Sequence, residues 1–501
     1  MSIVALICLK TKLSNCKEEI MKKRTKIVAT VGPASDSLEE LIKLIRAGVN
    51  VFRLNFSHGT HEYHADTLAK IRQAEAETGL IVGVLQDISG PKIRIGALEE
   101  RFHLKVNDTI IFRKKEIIGR KIGEDAYETC INQPKILEQL KMGDYIYLYD
   151  GIIRTKVVAI EKNGVSVIVE NQGVLSSKKG VNFPNTNLGI DVITPKDRLD
   201  MIWGTQHDVD FMAISFVQDA KDMLDARKIL EEHGSSVKLI AKIEKFDAVE
   251  NIDAILEASD GLMVARGDLG IEVPFYEVPS LQKMLIKKAN EASKPVITAT
   301  QMLLSMTEQE RATRAEISDI ANAVLDGTDA VMLSEESAVG LNPVLAVETM
   351  VQTIQGAEKI YPYNKYGHFK LSDETDSINE AAVKLCEDVG ANGLICLTSS
   401  GSSARKISRY RPRKEIYAVA HDIKVAKTLT LCWGIAPAFM VEKSSLGQMM
   451  SQVMEQGIQR KVLKLDKSYI LTAGDPIGVA GTTNMIRVLK EQEMRFFASL
   501  L

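Results

Sequence analysis

Two carboxylates stand at the ends of successive apolar segments of the chain. Glu244 closes the segment VKLIAKIE, and Asp268 follows the segment DGLMVAR by two residues. Such a pair can hold one hard divalent cation and leave coordination sites for substrate and water. Lys242 lies two residues before Glu244, on the same side of a strand, so its ammonium could stabilise an oxyanion beside the cation. A salt bridge from Lys242 or Arg266 to these carboxylates is the structural alternative.

Two further groups of residues could bind phosphate. Arg53 has a planar guanidinium that can donate two parallel hydrogen bonds, and Lys242 has a compact ammonium. Together the two side chains could bind a phosphate group. The segment TSSGSSAR (398–405) follows an apolar run and opens a helical pattern, which would direct hydroxyls and backbone N–H groups towards a phosphate. For this segment an ordinary serine-capped helix start is the alternative.

The segment HGTHEYH places His58, His61 and His64 three residues apart, a spacing that superficially suggests a metal site. No carboxylate or thiol stands in register with them, and His58-Gly59 is typical of a loop. We therefore expect His61 and His64 to be solvated residues at a helix start.

These polar groups end a series of short apolar segments that alternate with helical patterns, as in parallel βα units. Each segment passes from apolar to polar residues at its C-terminal end, the face where (β/α)₈ barrels carry their reactive groups. The fold class is therefore predicted as α/β, a TIM barrel. Its eight strands are expected within residues 26–32, 49–57, 81–89, 211–217, 237–244, 260–266, 295–301 and 330–336.

Two parts of the chain do not fit a barrel. Residues 89–185 alternate strand patterns with turn signals, which indicates a small β-barrel domain inserted after the third strand as a lid. Residues 361–501 restart with helical and strand patterns and are predicted to form an open α/β regulatory domain. The barrel then comprises residues 22–88 and 186–360. Residues 1–21 are expected to be a disordered extension, with the functional start at Met21.

Composition argues against several classes of function. The 501 residues carry 26% charged side chains and a net charge of −3, which gives no electrostatic basis for binding nucleic acid or anionic membrane. The six cysteines are scattered without a Cys-x-x-Cys motif, so a reducing, cytoplasmic setting is expected. That setting argues against an adhesion role for Arg266-Gly267-Asp268. The apolar run at the start of the chain is too short for a secretory core or a membrane span.

Several long segments occur in a recognisable order: TKIVATVGPAS, VFRLNFSHG, GPKIRIG, SKKGVNFP, IAKIEKFDAVENIDAILEASDGLMVARGDLG, PVITATQML, RATRAEISDIANAVLDGTDAVMLSEESAVG and ARKISRYRPR. In them, from about Thr25 to the C-terminus, the chain resembles the pyruvate kinase family. Membership implies transfer of a phosphoryl group from phosphoenolpyruvate to ADP, giving pyruvate and ATP in the last step of glycolysis. The implied cofactor is Mg²⁺ or Mn²⁺, which stabilises an enolate.

The resemblance also implies roles for individual residues. Glu244 and Asp268 match the family's divalent-metal ligands, and Arg53 matches its phosphate-binding arginine. Lys242 matches the lysine that stabilises the phosphoryl group and the enolate. Thr300 matches the threonine associated with protonating the enolate, and because a bare hydroxyl is a weak acid, we expect it to relay a proton through water. The implied substrate-binding residues are Arg53, Lys242, Gly267, Asp268 and Thr300.

Nucleotide and monovalent-cation sites follow from the same resemblance. The implied nucleotide-binding residues are Pro33, Arg53, His58, Arg94 and, from the lid, Lys179. The implied monovalent-cation ligands are Asn55, Ser57, Asp87 and, through its carbonyl, Ile88. Lys92 stands where many members have glutamate, and its ammonium could replace K⁺. We therefore predict activity without K⁺, with an exposed Lys92 and ordinary K⁺ dependence as the alternative.

Two other departures from the family pattern concern the lid and the effector loop. Tyr149-Asp150-Gly151 stands where the family usually has Asp-Asp-Gly, which removes a lid carboxylate. Ser399 replaces a lysine found in members that respond to fructose 1,6-bisphosphate, which should weaken a bisphosphate more than a monophosphate. AMP or a sugar monophosphate is the expected activator, with no activator as the alternative. The implied effector residues are Thr398, Ser399, Ser400, Gly401, Ser402 and Ser403.

Two rival functions stay open. A catalytically silent metabolite sensor on this scaffold would require a broken metal or lysine site, whereas the candidate residues for both are present. Another metal-dependent barrel acting on phosphoenolpyruvate or pyruvate, such as a lyase or mutase, would need neither the lid nor the last domain. The sequence therefore favours a cytoplasmic kinase, homotetrameric by resemblance, without nucleic-acid or membrane partners.

Overall fold

The computed structural model describes residues 23–184, 186–187, 189–475 and 483–500. The expectation for residues 1–21 lies outside the described residues. The first described elements are three strands and two helices in strict alternation. They are β1 (Lys26–Thr30), α1 (Leu38–Ala47), β2 (Val51–Asn55), α2 (His61–Thr78) and β3 (Gly83–Asp87). Ser37 and Thr60 cap the two helices, because each side chain accepts a hydrogen bond from a backbone N–H of the first turn.

A separate β domain follows β3. Its main sheet has seven strands in the order β12-β8-β9-β10-β5-β7-β6, and β11 pairs with β4 beside it. The predicted insertion is confirmed, although its main sheet is open and not closed into a barrel. Its elements are β4 (Phe102–Leu104), β5 (Thr109–Arg113), β6 (Arg120–Lys121), β7 (Ala126–Cys130), a 3₁₀ turn (Pro134–Glu138), β8 (Tyr145–Leu148), β9 (Ile153–Glu161), β10 (Gly164–Val169), β11 (Gly173–Leu175) and β12 (Val181–Asn182).

The chain then returns and completes the barrel. The closed parallel order is β1-β17-β16-β15-β14-β13-β3-β2, so the predicted (β/α)₈ fold is confirmed. The returning elements are α3 (Pro195–Gln206), β13 (Phe211–Ile214), α4 (Ala220–Glu232), β14 (Lys238–Ile243), α5 (Phe246–Glu250), α6 (Ile252–Ala258), β15 (Gly261–Ala265), α7 (Arg266–Glu272), a 3₁₀ turn (Phe275–Glu277), α8 (Val278–Glu291), β16 (Val296–Ala299), a 3₁₀ turn (Leu304–Thr307), α9 (Arg314–Asp326), β17 (Ala330–Leu333), α10 (Glu335–Ala338) and α11 (Pro343–Glu358). Most barrel strands are buried along their whole length, which explains their continuous apolar runs.

The last domain is an α/β sheet in the order β20-β19-β18-β21-β22, parallel except for β22. Its elements are α12 (Glu374–Asp388), β18 (Gly393–Leu397), α13 (Ser402–Arg409), β19 (Glu415–Ala420), α14 (Ile423–Thr428), a 3₁₀ turn (Leu429–Leu431), β20 (Ile435–Met440), α15 (Leu446–Gln459), β21 (Tyr469–Gly474), β22 (Thr483–Leu489) and α16 (Glu491–Ala498). Among the described helices, none is both long and apolar enough to cross a lipid bilayer.

A buried ion pair joins this domain to the barrel. Arg411 Nη1 lies 3.0 Å from Asp329 Oδ1, and the two side chains are 1% and 6% exposed. The guanidinium also donates to the Gly327 carbonyl at 2.7 Å and lies 5.1 Å from the Trp433 ring centre. Asp329 immediately precedes β17, so the contact is made at the end of the barrel opposite the polar strand ends.

Candidate active site

Asp87, the last residue of β3, joins the two cations that were expected to bind phosphate. Its Oδ2 accepts a hydrogen bond from Arg53 Nε at 2.7 Å, and its Oδ1 lies 3.1 Å from Lys242 Nζ. Burial raises the pKa of Asp87, but Lys242 and Arg53 outweigh it, and the pKa falls below its ordinary value. Arg53 Nη1 also donates to Thr30 Oγ1 at 2.9 Å. An ionised carboxylate therefore holds the arginine and the lysine in one place.

Lys242 points from β14 into the same network. Its Nζ donates to Ser215 Oγ at 2.6 Å and lies 3.0 Å from Glu244 Oε1. Burial lowers the pKa of Lys242, but Asp87 and Glu244 outweigh it, so the pKa lies above its ordinary value. The ammonium is therefore a fixed positive charge, placed where it can stabilise a developing anion.

Glu244 and Asp268 come together because β14 pairs with β15. Ile243 lies opposite Val264, so Glu244 is beside the start of α7, whose first turn carries Asp268. Burial raises the pKa of Glu244 to about 7, with Lys242 opposing the rise and Asp268 adding to it. A divalent cation between Glu244 and Asp268 would relieve the repulsion between the two carboxylates. Because carboxylate oxygens are hard donors, these residues fit such an ion.

A divalent cation at this position would need further ligands. In the part of the chain that the structure describes, no three histidine, cysteine, aspartate or glutamate side chains group around a metal position. Two protein carboxylates would leave the remaining coordination sites to substrate and water, as expected for a catalytic site. Glu244 is also held in place, since its Oε2 accepts a hydrogen bond from the Phe216 backbone N–H at 2.7 Å.

The loop after β16 meets the start of α7. Thr300 Oγ1 accepts a hydrogen bond from Gly267 N at 2.9 Å and donates to the preceding carbonyl at 2.7 Å. Arg266 holds this loop, because its Nη2 donates to the Thr300 carbonyl at 2.7 Å and its Nη1 to Asp319 Oδ1 at 2.7 Å. Thr300 has φ of 71°, a conformation uncommon outside glycine and typical of functional sites.

The nucleotide candidates lie in two places. In the lid, Arg94 Nη1 donates to the Lys178 carbonyl at 3.0 Å, so Arg94 lies beside the segment that carries Lys179. Lys179 Nζ lies 3.9 Å from the centre of the Tyr149 ring. Of the other three candidates, Arg53 is half-buried on β2 in the network described above, and Pro33 and His58 are exposed in the loops after β1 and β2.

The candidate ligands for a monovalent cation have other partners. Asn55 Oδ1 accepts from the Ser57 backbone N–H at 3.2 Å, and the Ile88 carbonyl accepts from a buried serine hydroxyl at 2.7 Å. Asp87 holds the two cations described above. Lys92 is exposed, and its ammonium makes no hydrogen bond or ion pair to any described residue. A cation bound here would have to replace some of these bonds.

The three histidines of HGTHEYH make separate contacts. His61 Nε2 lies 2.7 Å from Asp200 Oδ1. His64 is buried, stacks on Phe56 with ring centres 4.0 Å apart, and its Nε2 lies 2.9 Å from the His58 carbonyl oxygen. The expectation that His64 is solvated is therefore wrong, because this position of α2 faces inward. Burial lowers the pKa of His64 accordingly.

The effector-loop residues connect β18 to α13. Thr398 Oγ1 accepts from Gly401 N at 2.9 Å, and Ser403 Oγ lies 2.5 Å from Thr483 Oγ1 of β22. Ser399 and Ser400 are exposed and Ser402 is half-buried. Gly401, with φ of 80°, is the N-cap, and no side chain caps the helix. The alternative of a serine-capped helix start is therefore wrong.

Sequence reasoning missed three residues of this site. Thr30 is the last residue of β1, and its hydroxyl accepts a hydrogen bond that positions Arg53. Its role could have been predicted from the sequence, because Thr30 is a polar residue at the end of an apolar strand. The Phe216 backbone N–H holds Glu244 from a left-handed position with φ of 59°, and nothing in the local sequence indicates it. Asp319 anchors Arg266 from α9, a contact between distant segments that only the folded chain reveals.

Comparisons with known proteins show which family the chain resembles over most of its length. Residues 22–347 match the family described as "Pyruvate kinase, barrel domain", and residues 376–489 match "Pyruvate kinase, alpha/beta domain". Over 476 residues the chain is 40% identical to a pyruvate kinase of Geobacillus stearothermophilus, covering 93% of this chain and 80% of that one. It is 39% identical to a pyruvate kinase of Clostridium acetobutylicum, covering 93% and 99%. A crystal structure of a pyruvate kinase from Cryptosporidium parvum superposes with a TM-score of 0.88 at 34% identity, covering 93% and 96%.

Proposed function

The chain belongs to the pyruvate kinase family, and from this premise we propose how its residues divide the reaction. It is a phosphotransferase that moves the phosphoryl group of phosphoenolpyruvate to ADP and yields pyruvate and ATP. One observation carries the proposed roles: Lys242 Nζ lies 3.0 Å from Glu244 Oε1 and 3.1 Å from Asp87 Oδ1, at the polar end of a closed barrel.

Arg53 and Lys242 bind and orient the phosphoryl group. Phosphoryl transfer relies on positioning and on neutralising the charge that gathers on the phosphoryl oxygens. Arg53 supplies a planar guanidinium, and Lys242 supplies an ammonium whose pKa is raised. Both contact Asp87, and this shared contact fixes the distance between them. Lys242 also stabilises the enolate left when the phosphoryl group departs.

The family uses a divalent cation, and Glu244 and Asp268 would hold it here. Mg²⁺ or Mn²⁺ is the cation proposed, since both ligands are hard carboxylate oxygens. When bound, it supplies charge neutralisation at the phosphoryl and enolate oxygens. Phe216 contributes by fixing Glu244 through its backbone N–H.

Gly267 and Thr300 act on the pyruvate side of the reaction. The Gly267 amide, at the first turn of α7, binds the substrate carboxylate, as anions bind at helix starts. Asp268 lies beside it. Thr300, whose hydroxyl is 2.9 Å from that amide, relays a proton through water to the enolate.

The lid brings part of the nucleotide site. Pro33, Arg53 and His58 from the barrel and Arg94 and Lys179 from the lid contact ADP, and lid closure excludes water that would compete for the phosphoryl group. Activity without K⁺ is proposed from the sequence departure at Lys92; because Lys92 is exposed, as in the alternative of ordinary K⁺ dependence, its ammonium would have to move to reach the cation position near Asn55, Ser57, Asp87 and Ile88.

Assembly and regulation follow the family. The enzyme is a cytoplasmic homotetramer, and an AMP or sugar-monophosphate activator binds at residues 398–403. The uncapped start of α13 and the hydroxyls of Thr398 and Ser403 support this position.

An assay of ADP-dependent pyruvate formation, coupled to lactate dehydrogenase, tests the function. We expect turnover that needs phosphoenolpyruvate, ADP and a divalent cation together. Pyruvate formation without ADP would indicate a lyase or phosphatase, and no turnover under any divalent cation would indicate a silent sensor. A panel of phosphorylated metabolites at subsaturating phosphoenolpyruvate tests the activator.

A further inference from the structure

Tyr149 and Lys179 contact each other across two neighbouring segments of the lid. The Lys179 ammonium lies 3.9 Å from the centre of the Tyr149 ring, well inside the range of a cation–π interaction. The backbone fixes this contact, because Tyr149 N donates to the Gly180 carbonyl at 2.8 Å and β8 pairs with β12 directly beside it. Both side chains are partly buried, so the ring shields one side of the ammonium from water.

Both segments rest on the helix that carries Asp268. Residues 149–151 form a left-handed turn with φ of 54°, 54° and 84°, and a Cβ on the glycine would lie 3.3 Å from Ile271 Cγ2. On the other segment, Asn182 Nδ2 lies 3.4 Å from Glu272 Oε1. Ile271 and Glu272 end α7, whose first turn carries Asp268. The tyrosine and the lysine are therefore located where the lid meets the barrel, against the helix of a candidate metal ligand.

We propose that Tyr149 is a positioning residue that holds the Lys179 ammonium ready for the phosphates of the nucleotide. The proposal rests on the nucleotide role proposed above for Lys179. A carboxylate at position 149 would neutralise the ammonium and repel the phosphates, whereas the ring attracts a cation and carries no net charge. The ring covers one side of the ammonium and leaves N–H donors on the other side for phosphate oxygens.

Ring-retaining and ring-removing variants of the full chain test the proposal. Tyr149→Leu should raise KM for ADP about five- to tenfold, because the lysine loses its orienting partner. The kcat and KM for phosphoenolpyruvate should stay within about twofold, because neither residue contacts that substrate. Tyr149→Phe keeps the ring and should behave like the parent enzyme. Tyr147→Leu is the matched control, since Tyr147 lies on β8, two residues before Tyr149, and its ring contacts Tyr145.

Lys179→Met tests the nucleotide role of Lys179 separately from the positioning role of Tyr149. If Lys179→Met leaves KM for ADP unchanged, the nucleotide role of Lys179 fails and the positioning role fails with it, while the overall reaction stands. If Lys179→Met raises KM for ADP and Tyr149→Leu does not, only the positioning role is overturned. The positioning role is likewise overturned if Tyr147→Leu raises KM for ADP as much as Tyr149→Leu, or if Tyr149→Phe raises it too. Tyr149→Met replaces the leucine variant if that variant does not fold.

Discussion

The Thr300 hydroxyl accepts a hydrogen bond from the Gly267 amide at 2.9 Å, which ties the proposed proton relay to the proposed carboxylate site. A left-handed backbone at Thr300 and the Arg266 contacts hold the hydroxyl at that position. The residue proposed to relay the proton is therefore held against the start of the helix proposed to bind the substrate carboxylate.

Thr300→Ala should lower kcat by about ten- to a hundredfold, in the range typical of general acid–base groups. Thr300→Ser, which retains the hydroxyl, should stay within a few-fold of the parent. Steady-state kinetics combined with NMR of proton exchange in the pyruvate methyl group would localise the loss to enolate protonation. Equal exchange in the alanine variant and the parent would remove Thr300 from the relay.

Lys242→Met should reduce kcat by roughly a thousandfold, because the ammonium beside Glu244 is the group proposed to stabilise the developing charge. Binding of Mn²⁺, followed by electron paramagnetic resonance, should persist, since both carboxylates remain. Lys238→Met is the control on the same strand, where the lysine lies 3.7 Å from Asp260, outside the site. A Lys242 variant with more than about a tenth of parental kcat would contradict the role.

Asp268→Asn should weaken Mn²⁺ binding at least about tenfold, because it neutralises one of the two carboxylates proposed as metal ligands. Asp253→Asn, at an exposed side chain that pairs with Lys288, serves as the control. Titration calorimetry with MnCl₂ alone gives the affinity independently of turnover. Unchanged affinity in the Asp268 variant would place the cation elsewhere.

Activity is expected without K⁺, and Lys92→Glu should create a K⁺ requirement by restoring the glutamate that the family resemblance implies at this position. Turnover is measured in a buffer free of sodium and potassium, before and after addition of K⁺. If K⁺ raised the turnover of the parent enzyme more than about tenfold, the proposal that the Lys92 ammonium replaces K⁺ would be refuted. Lys105→Glu, at another exposed lid lysine, controls for the change of charge.

The contribution of Lys26 to folding stability should rise with pH. Burial lowers the pKa of Lys26 from 10.5 to about 8, against the opposing effects of Cys432, Glu358 and Asp329. Between these values Lys26 is protonated in the unfolded chain and largely neutral in the folded chain, so its contribution to the free energy of unfolding increases as pH rises.

Lys26→Met removes this titration. From pH 7.5 to 10 the parent should gain roughly 2 kcal/mol of unfolding free energy relative to the variant, as measured by urea denaturation. Lys115→Met, at an exposed lysine, should run parallel to the parent. A constant difference between parent and Lys26 variant across this range would show that burial does not lower the pKa.

The barrel and the polar ends of its strands were predictable because both follow from local patterns. Buried parallel strands must be apolar runs, and groups such as Glu244 and Asp87 end those runs. The contacts that orient these groups were not predictable in the same way. The Arg266 contact with Asp319 and the Tyr149 contact with Lys179 join distant segments, and the left-handed Phe216 has no local sequence signal. His64 was misassigned because a weak helical pattern did not show which side of α2 faces inward.

The buried ion pair of Arg411 and Asp329 limits how the C-terminal domain can be exchanged. A replacement domain that covered Asp329 without offering an arginine would leave this carboxylate buried without its counter-charge, a loss of the kind that costs about 3 to 5 kcal/mol. The barrel therefore cannot be combined with an arbitrary C-terminal domain. A chimera that exchanges the C-terminal domain has to bring a matching arginine, and an aromatic ring to cover it, or supply a barrel from which that acid has been removed.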